Sequence, residues 1–221
     1  MSSLHSRFSL VVFDVDGTLV DSRRDLAESA NALLQQCGCL TLSEEAIGQM
    51  VGDGAATLVA RVFAATGCEQ PDDALPRFLA IYNSRLLKFT RPYAGIPEAL
   101  ASLQSRATLA VLTNKPLGAT RLVLDGLHLA NYFGPRVVGG DGPFPRKPAP
   151  AGLVHLIREF GSAPEETLLV GDSVIDWRTA RAAGTRSCVA RYGFGFSGFP
   201  TEELDERDWL VDQPSELAAG L

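Results

Sequence analysis

Four points of the chain place groups able to do chemistry directly after an apolar run. The first is Leu10-Val11-Val12-Phe13, which runs straight into Asp14-Val15-Asp16-Gly17-Thr18. Along extended backbone alternate side chains share a face, so Asp14 and Asp16 lie on one side and Val15 turns into protein. Two neighbouring acids repel, and their pKa values separate unless a cation neutralises one of them. Thr113, Asn114 and Lys115 follow Leu109–Leu112, and Lys147 sits in Arg146-Lys147-Pro148. Gly171-Asp172-Ser173 closes the run from Thr167, with Asp176 one helical turn on. Each has a plain alternative: an Asp-Gly turn, Thr113 or Ser173 as helix caps, Lys147 as a solvated loop charge, Asp172 as a turn former. Their recurrence at successive strand ends favours one shared site.

Such a collection suits phosphoryl transfer. Clustered carboxylates call for a hard cation, Mg²⁺, which would also bring a phosphate dianion close to acids that otherwise repel it. One carboxylate can then attack phosphorus in line, and the second can protonate the leaving alkoxide. Thr113 and Lys147 would bond the phosphoryl oxygens as charge redistributes.

For these groups to meet, the strand ends must share an edge. After residue 91 the pattern alternates: helices over 96–105, 117–127, 150–160 and 174–183, strands over 108–112, 136–138, 167–170 and 187–190. Strands separated by helices build right-handed crossovers, so the predicted fold is α/β, a doubly wound, mainly parallel, Rossmann-like sheet. Between them, residues 21–90 read as helices over 21–36, 43–50, 55–65 and 72–87, with no strand signal. The expected division is a core of residues 1–20 and 91–221 with an all-helical insert, 21–90, placed after the first strand as a lid over the carboxylates. Residues 192–198, rich in glycine and aromatics, are expected to form a surface connection at the edge of the site. A last short strand over 209–211 and a helical turn over 214–219 complete the chain.

Composition narrows the partners. The 221 residues carry a formal net charge of −6, with 46% hydrophobic and 21% charged residues, as in an ordinary globular protein. There is no basic footprint for nucleic acid, no apolar run long enough for a membrane span and no leader pattern over residues 1–9. Cys37, Cys39, Cys68 and Cys188 lack CxxC spacing, which predicts neither zinc nor a disulfide framework and points to a reducing cytoplasm. Only Lys88, Lys115 and Lys147 represent lysine among 20 basic residues, so two of three fall in candidate site loops. His5, His128 and His155 sit at the terminus or in helical patterns, which makes a histidine-based nucleophile system a poor fit.

The Asp14–Ser22 segment resembles the first motif of the haloacid dehalogenase-like phosphatases. Leu112-Thr113-Asn114, Lys147-Pro148 and Gly171-Asp172-Ser173-Val174-Ile175-Asp176 resemble the second, third and fourth, in the family's order. The resemblance implies Asp14 as the nucleophile that becomes an aspartyl-phosphate and Asp16 as general acid, then base. It implies Thr113 and Lys147 at the phosphoryl group, with Gly17, Thr18, Asn114 and Lys115 as further substrate contacts. Mg²⁺ would be held by Asp14, the backbone carbonyl of Asp16 and Asp172, with Asp176 supporting. Within the insert, Val51-Gly52-Asp53-Gly54-Ala55 is similar to the loop that phosphoglycolate phosphatases carry, which implies Gly52, Asp53 and Gly54 as substrate contacts. The same glycines could merely separate two helices. Asp53 stands where that loop often has an amide, and an acid facing the site would repel a carboxylate-bearing substrate.

A small phosphorylated metabolite such as 2-phosphoglycolate is the expected substrate, and the chain is expected as a monomer or homodimer. A sugar-phosphate phosphatase, a pyrophosphatase, a phosphomutase and a non-catalytic phosphate-binding regulator stay open. A dehalogenase would not need Asp16 or a metal. The phosphonate-cleaving relatives use an insert lysine, and no lysine lies between Asp14 and Lys88.

Overall fold

The computed structural model describes residues 8–220; His5 and most of the segment read for a leader lie outside them. β1 (Leu10–Phe13) is buried on both faces, as a central parallel strand must be. Leu10 and Val12 pack with Leu153, Leu156 and Ala180, while Val11 and Phe13 join a larger cluster with Leu100, Val123 and Phe133. Phe13 and Phe133 meet edge to face at 6.1 Å. Fully burying one such side chain stabilises the fold by about 1.5–3 kcal/mol.

After a tight turn the chain forms β2 (Val20–Asp21) and enters four helices: α1 (Arg23–Gln36), α2 (Glu44–Gly48), α3 (Ala55–Thr66) and α4 (Ala74–Asn83). It returns through β3 (Arg91–Pro92), which pairs antiparallel with β2, Val20 opposite Pro92 and Asp21 opposite Arg91. The sequence shows no strand here because a two-residue ribbon has no periodicity to read. The return is also pinned by Asp25 of α1, fully buried, whose Oδ2 accepts from the Phe89 and Thr90 amides and the Thr90 hydroxyl, each at 2.8 Å. Apolar stripes on α1, α3 and α4 (Leu33, Phe63 and Phe78 among them) continue the cluster that begins on the sheet.

Cys39, just past α1, and Cys68, just past α3, form a disulfide, with Cα atoms 6.3 Å apart. This corrects the expectation that the cysteines are unpaired. The pairing is set by how α1 and α3 pack, which a 29-residue spacing does not reveal. Cys37 and Cys188 are free.

The core then alternates: α5 (Ile96–Leu103), β4 (Thr108–Leu112), α6 (Leu117–Gly126), α7 (Ala130–Phe133), β5 (Val137–Val138), α8 (Ala151–Glu159), β6 (Thr167–Gly171), α9 (Val174–Ala183), β7 (Arg186–Ala190), β8 (Asp208–Val211) and α10 (Ser215–Gly220). Six strands form one parallel sheet in the order β5-β4-β1-β6-β7-β8. Connections from β1 lead one way to β4 and β5, and the chain crosses back to β6 on the other side. The switch point therefore lies between β1 and β6, the crevice where doubly wound sheets bind ligands. Among the described residues no helix is long and apolar enough to cross a membrane.

Candidate active site

Asp14 and Asp172 leave β1 and β6 at that switch point, and the Asp14 amide donates to Val170 O at 2.9 Å. The chain beyond Asp14 doubles back so tightly that the amides of Thr18, Leu19 and Val20 all reach Val15 O, at 2.9–3.2 Å. Gly17 carries the turn with φ +88°. No other residue fits, because a Cβ there would lie 1.9 Å from Asp172 Oδ2.

Asp172 is 2% exposed, and its Oδ2 accepts from the Gly195 amide at 2.7 Å. Gly193 packs as closely, a Cβ on it falling 2.2 Å from Asp172 Cβ, and the Tyr192 hydroxyl donates to Thr18 O at 3.0 Å. The 192–198 loop, expected as a surface connection, thus builds one wall of the site. Its glycine content was the signal: close approach of backbone to a buried carboxylate leaves no room for side chains. Thr18 is fully buried, with its hydroxyl left without a hydrogen-bond partner among the described residues.

Asp176 opens α9, where its Oδ2 accepts from the amide and hydroxyl of Ser173 at 3.2 and 2.6 Å. Lys147 reaches in from the loop before α8, its Nζ 2.8 Å from Asp14 Oδ1 and 2.5 Å from Asp176 Oδ1. Asn114 fixes that loop: its Oδ1 accepts from the Lys147 amide at 2.9 Å while its Nδ2 donates to Lys147 O at 3.0 Å and to Gly52 O at 2.9 Å. Expected as a substrate contact, Asn114 lines the cavity, and its amide ties the Lys147 loop and the insert's glycine loop to the core.

Asp16 lines the same cavity as Asp14 but has partners of its own. Its carboxylate takes the Ser22 hydroxyl at 2.6 Å and the Lys115 ammonium at 3.1 Å from each oxygen. Lys115 also donates to the hydroxyl of Tyr82 and lies 4.4 Å from the centre of its ring. Neither Tyr82 nor Ser22 stands out in the sequence as a site group, because Tyr82 falls within the helical pattern over 72–87 and Ser22 is the last residue of the first motif. Thr113, 3% exposed, lines the same cavity with Gly52 and Gly54. Asp53 does not line it, because its Oδ2 is held by Arg61 at 2.5 Å.

Burial dominates the electrostatics. It pushes Asp14 up to about 6, aided by Asp176 and Asp16 and opposed by Lys147. Burial, then the charges of Asp176 and Asp14, hold the Asp172 carboxyl well above the usual carboxylate range. Burial pulls Lys147 downward, but Asp14 and Asp176 outweigh it and the ammonium stays charged. The same balance, through Asp16 and Tyr82, keeps Lys115 charged. Oxygen atoms of Asp14, Asp172 and Asp176 lie within 4.8 Å of one another. Three carboxylates facing one lysine leave negative charge to spare, and an all-oxygen donor set fits a hard divalent cation. The Asp16 carboxylate is not part of that cluster.

The chain belongs to the haloacid dehalogenase-like hydrolase family, whose model matches residues 11–190. A phosphoglycolate phosphatase of Rhodospirillum rubrum is 43% identical over 193 residues, 83% of this chain and 80% of that protein. One from Thiobacillus denitrificans is 35% identical over 99% of this chain and 97% of its own length. A crystal structure of a predicted phosphoglycolate phosphatase from Haemophilus somnus superposes with a TM-score of 0.88 at 29% identity, covering 97% of this chain and 98% of that one.

Proposed function

We propose that this protein hydrolyses a small phosphomonoester, 2-phosphoglycolate, through an aspartyl-phosphate on Asp14. Of the described residues, those within 1–20 and 91–221 form the catalytic core, and 21–90 the cap. The observation that carries the reading is the placement of Asp14 at the switch point, in ion-pair contact with Lys147 and in one cluster with Asp172 and Asp176. The names of the relatives supply the substrate.

In this reading an Asp14 oxygen attacks phosphorus and the bond to the ester oxygen breaks. Asp16 gives its proton to the departing alkoxide, which leaves as glycolate. Asp16 then takes a proton from water, the water oxygen attacks phosphorus, and phosphate departs with Asp14 restored. Lys147 and Thr113 hold the phosphoryl oxygens through both steps. Asp14, Asp172 and Asp176, with the backbone carbonyl of Asp16, would hold Mg²⁺, which when bound offsets the carboxylate charge that would otherwise repel a phosphate dianion. The insert excludes water from above.

Release of inorganic phosphate from 2-phosphoglycolate in Mg²⁺, compared with hexose phosphates, nucleotides and pyrophosphate, tests the proposal. Wild type should act on 2-phosphoglycolate with the highest kcat/KM and Asp14→Asn on none of them. Equal release by both proteins would overturn it.

A further inference from the structure

The proposed reaction leaves the non-phosphate end of the substrate without a receiver, and the walls of the cavity restrict what can serve. The insert contributes Leu26, Leu58, Phe78 and Leu79. Among the described residues, Lys115 is the one cationic side chain lining the space. It is 5% exposed, and besides Asp16 its partner is the Tyr82 hydroxyl. That hydroxyl accepts from Lys115, which leaves its own proton to be donated. Asp53, the acid that would repel an anionic ligand, is turned onto Arg61.

We infer that Lys115, assisted by Tyr82, recognises a carboxylate on the substrate, so that the site selects phosphomonoesters bearing an acid one carbon beyond the ester oxygen. The inference rests on the phosphatase reading and deepens it. If Asp16 delivers a proton to the ester oxygen, that oxygen lies within hydrogen-bond reach of Asp16. One methylene further, the substrate's carboxylate comes beside the groups that touch Asp16, the Ser22 hydroxyl at 2.6 Å and the Lys115 ammonium at 3.1 Å, and of the two it is Lys115 that lines the cavity. A cation and a hydroxyl donor side by side, enclosed by apolar walls, bind a carboxylate more strongly than either would in water. A polyol gains less there: its hydroxyls would meet Lys115 and Tyr82 only as neutral acceptors, and those set against leucine and phenylalanine would be buried without partners.

The test compares 2-phosphoglycolate with ethylene glycol monophosphate, in which a hydroxymethyl group replaces the carboxylate. Wild type should prefer the acid by about 10-fold or more in kcat/KM. Lys115→Met should lower that preference by about 10- to 100-fold, mainly through KM for the acid. Any damage transmitted through Asp16 falls on both substrates and cancels in the ratio. Tyr82→Phe should lower the ratio severalfold, and Lys115→Arg should keep part of it. A ratio unchanged in Lys115→Met, or a wild type indifferent to the carboxylate, overturns the inference while leaving the phosphatase intact. Should Lys115→Met not fold, the Tyr82→Phe and Lys115→Arg ratios decide in the same sense. A wild type that hydrolyses neither ester removes the phosphatase reading itself.

Discussion

Gly17 and Asp172, far apart in sequence, are packed so closely that a single methyl group on the first would sit 1.9 Å from Oδ2 of the second. The glycine's positive φ adds a backbone penalty to the clash. Gly17→Ala should therefore displace the Asp172 carboxylate. Expected outcomes are a loss of kcat/KM of about 100-fold or more and a weaker thermal shift on adding Mg²⁺, since misplacing one ligand disturbs the whole cluster. Retained activity with normal Mg²⁺ stabilisation would mean that the turn can relax without cost.

Lys147 is the ammonium between Asp14 and Asp176, and both partners are buried. Removing it leaves buried like charges uncompensated, which costs about 3–5 kcal/mol. Lys147→Met should unfold earlier than wild type in EDTA, and Mg²⁺ should recover more of the deficit than it adds to wild type. Urea melts with and without the metal measure both quantities.

The raised carboxyls give the metal-free protein a definite pH response. Asp14 titrates at about 6 in the fold against 3.8 when unperturbed, so the folded state holds its proton more tightly. Its contribution is fully present below 3.8 and is lost as pH rises through about 6. By linkage the full swing is about 3 kcal/mol. In EDTA, wild type should gain stability relative to Asp14→Asn as pH falls from 7.5 to 4. Stabilisation by Mg²⁺ should be larger at pH 7.5 than at 5.5, because the cation competes with that proton. A difference that is flat with pH would refute the assignment.

The Cys39–Cys68 bond closes a loop of 29 residues within the insert. A crosslink of that size restricts the unfolded chain by about 3–4 kcal/mol. Reductant should lower the unfolding midpoint of wild type and leave Cys39→Ser unaffected, which non-reducing mass spectrometry of the free thiols can parallel.

The catalytic floor was legible because parallel sheets obey a positional rule. Once β1, β4 and β6 could be recognised from their apolar runs, Asp14, Thr113 and Asp172 had to meet. Lys147 followed because its loop precedes α8 at the same edge. What escaped were groups whose role depends on tertiary neighbours. Tyr82 has the same spacing as any apolar residue of α4, and only the packing of α4 over the core aims its hydroxyl at Lys115. Gly193 and Gly195 resemble ordinary loop glycines until Asp172 is seen against them. Asn114 lines the cavity, and the backbone bonds its amide also makes to the Lys147 loop depend on where that loop folds, which spacing does not show. Asp53 reads from the sequence as an acid at the site because its counterion, Arg61, lies well along α3 and meets it only once that helix is formed.

The β2–β3 ribbon sets the insert's way in and way out side by side, Asp21 across from Arg91. Everything that touches phosphorus in the proposed chemistry stands on one side of that pair with Lys115, while Tyr82 and the apolar walls that would enclose the rest of the molecule are reached through it. A foreign helical module spliced at those two residues would meet the same floor with a different ceiling. The ribbon is in that sense a socket, through which a lineage can retune what it accepts while its bond-breaking apparatus is inherited whole.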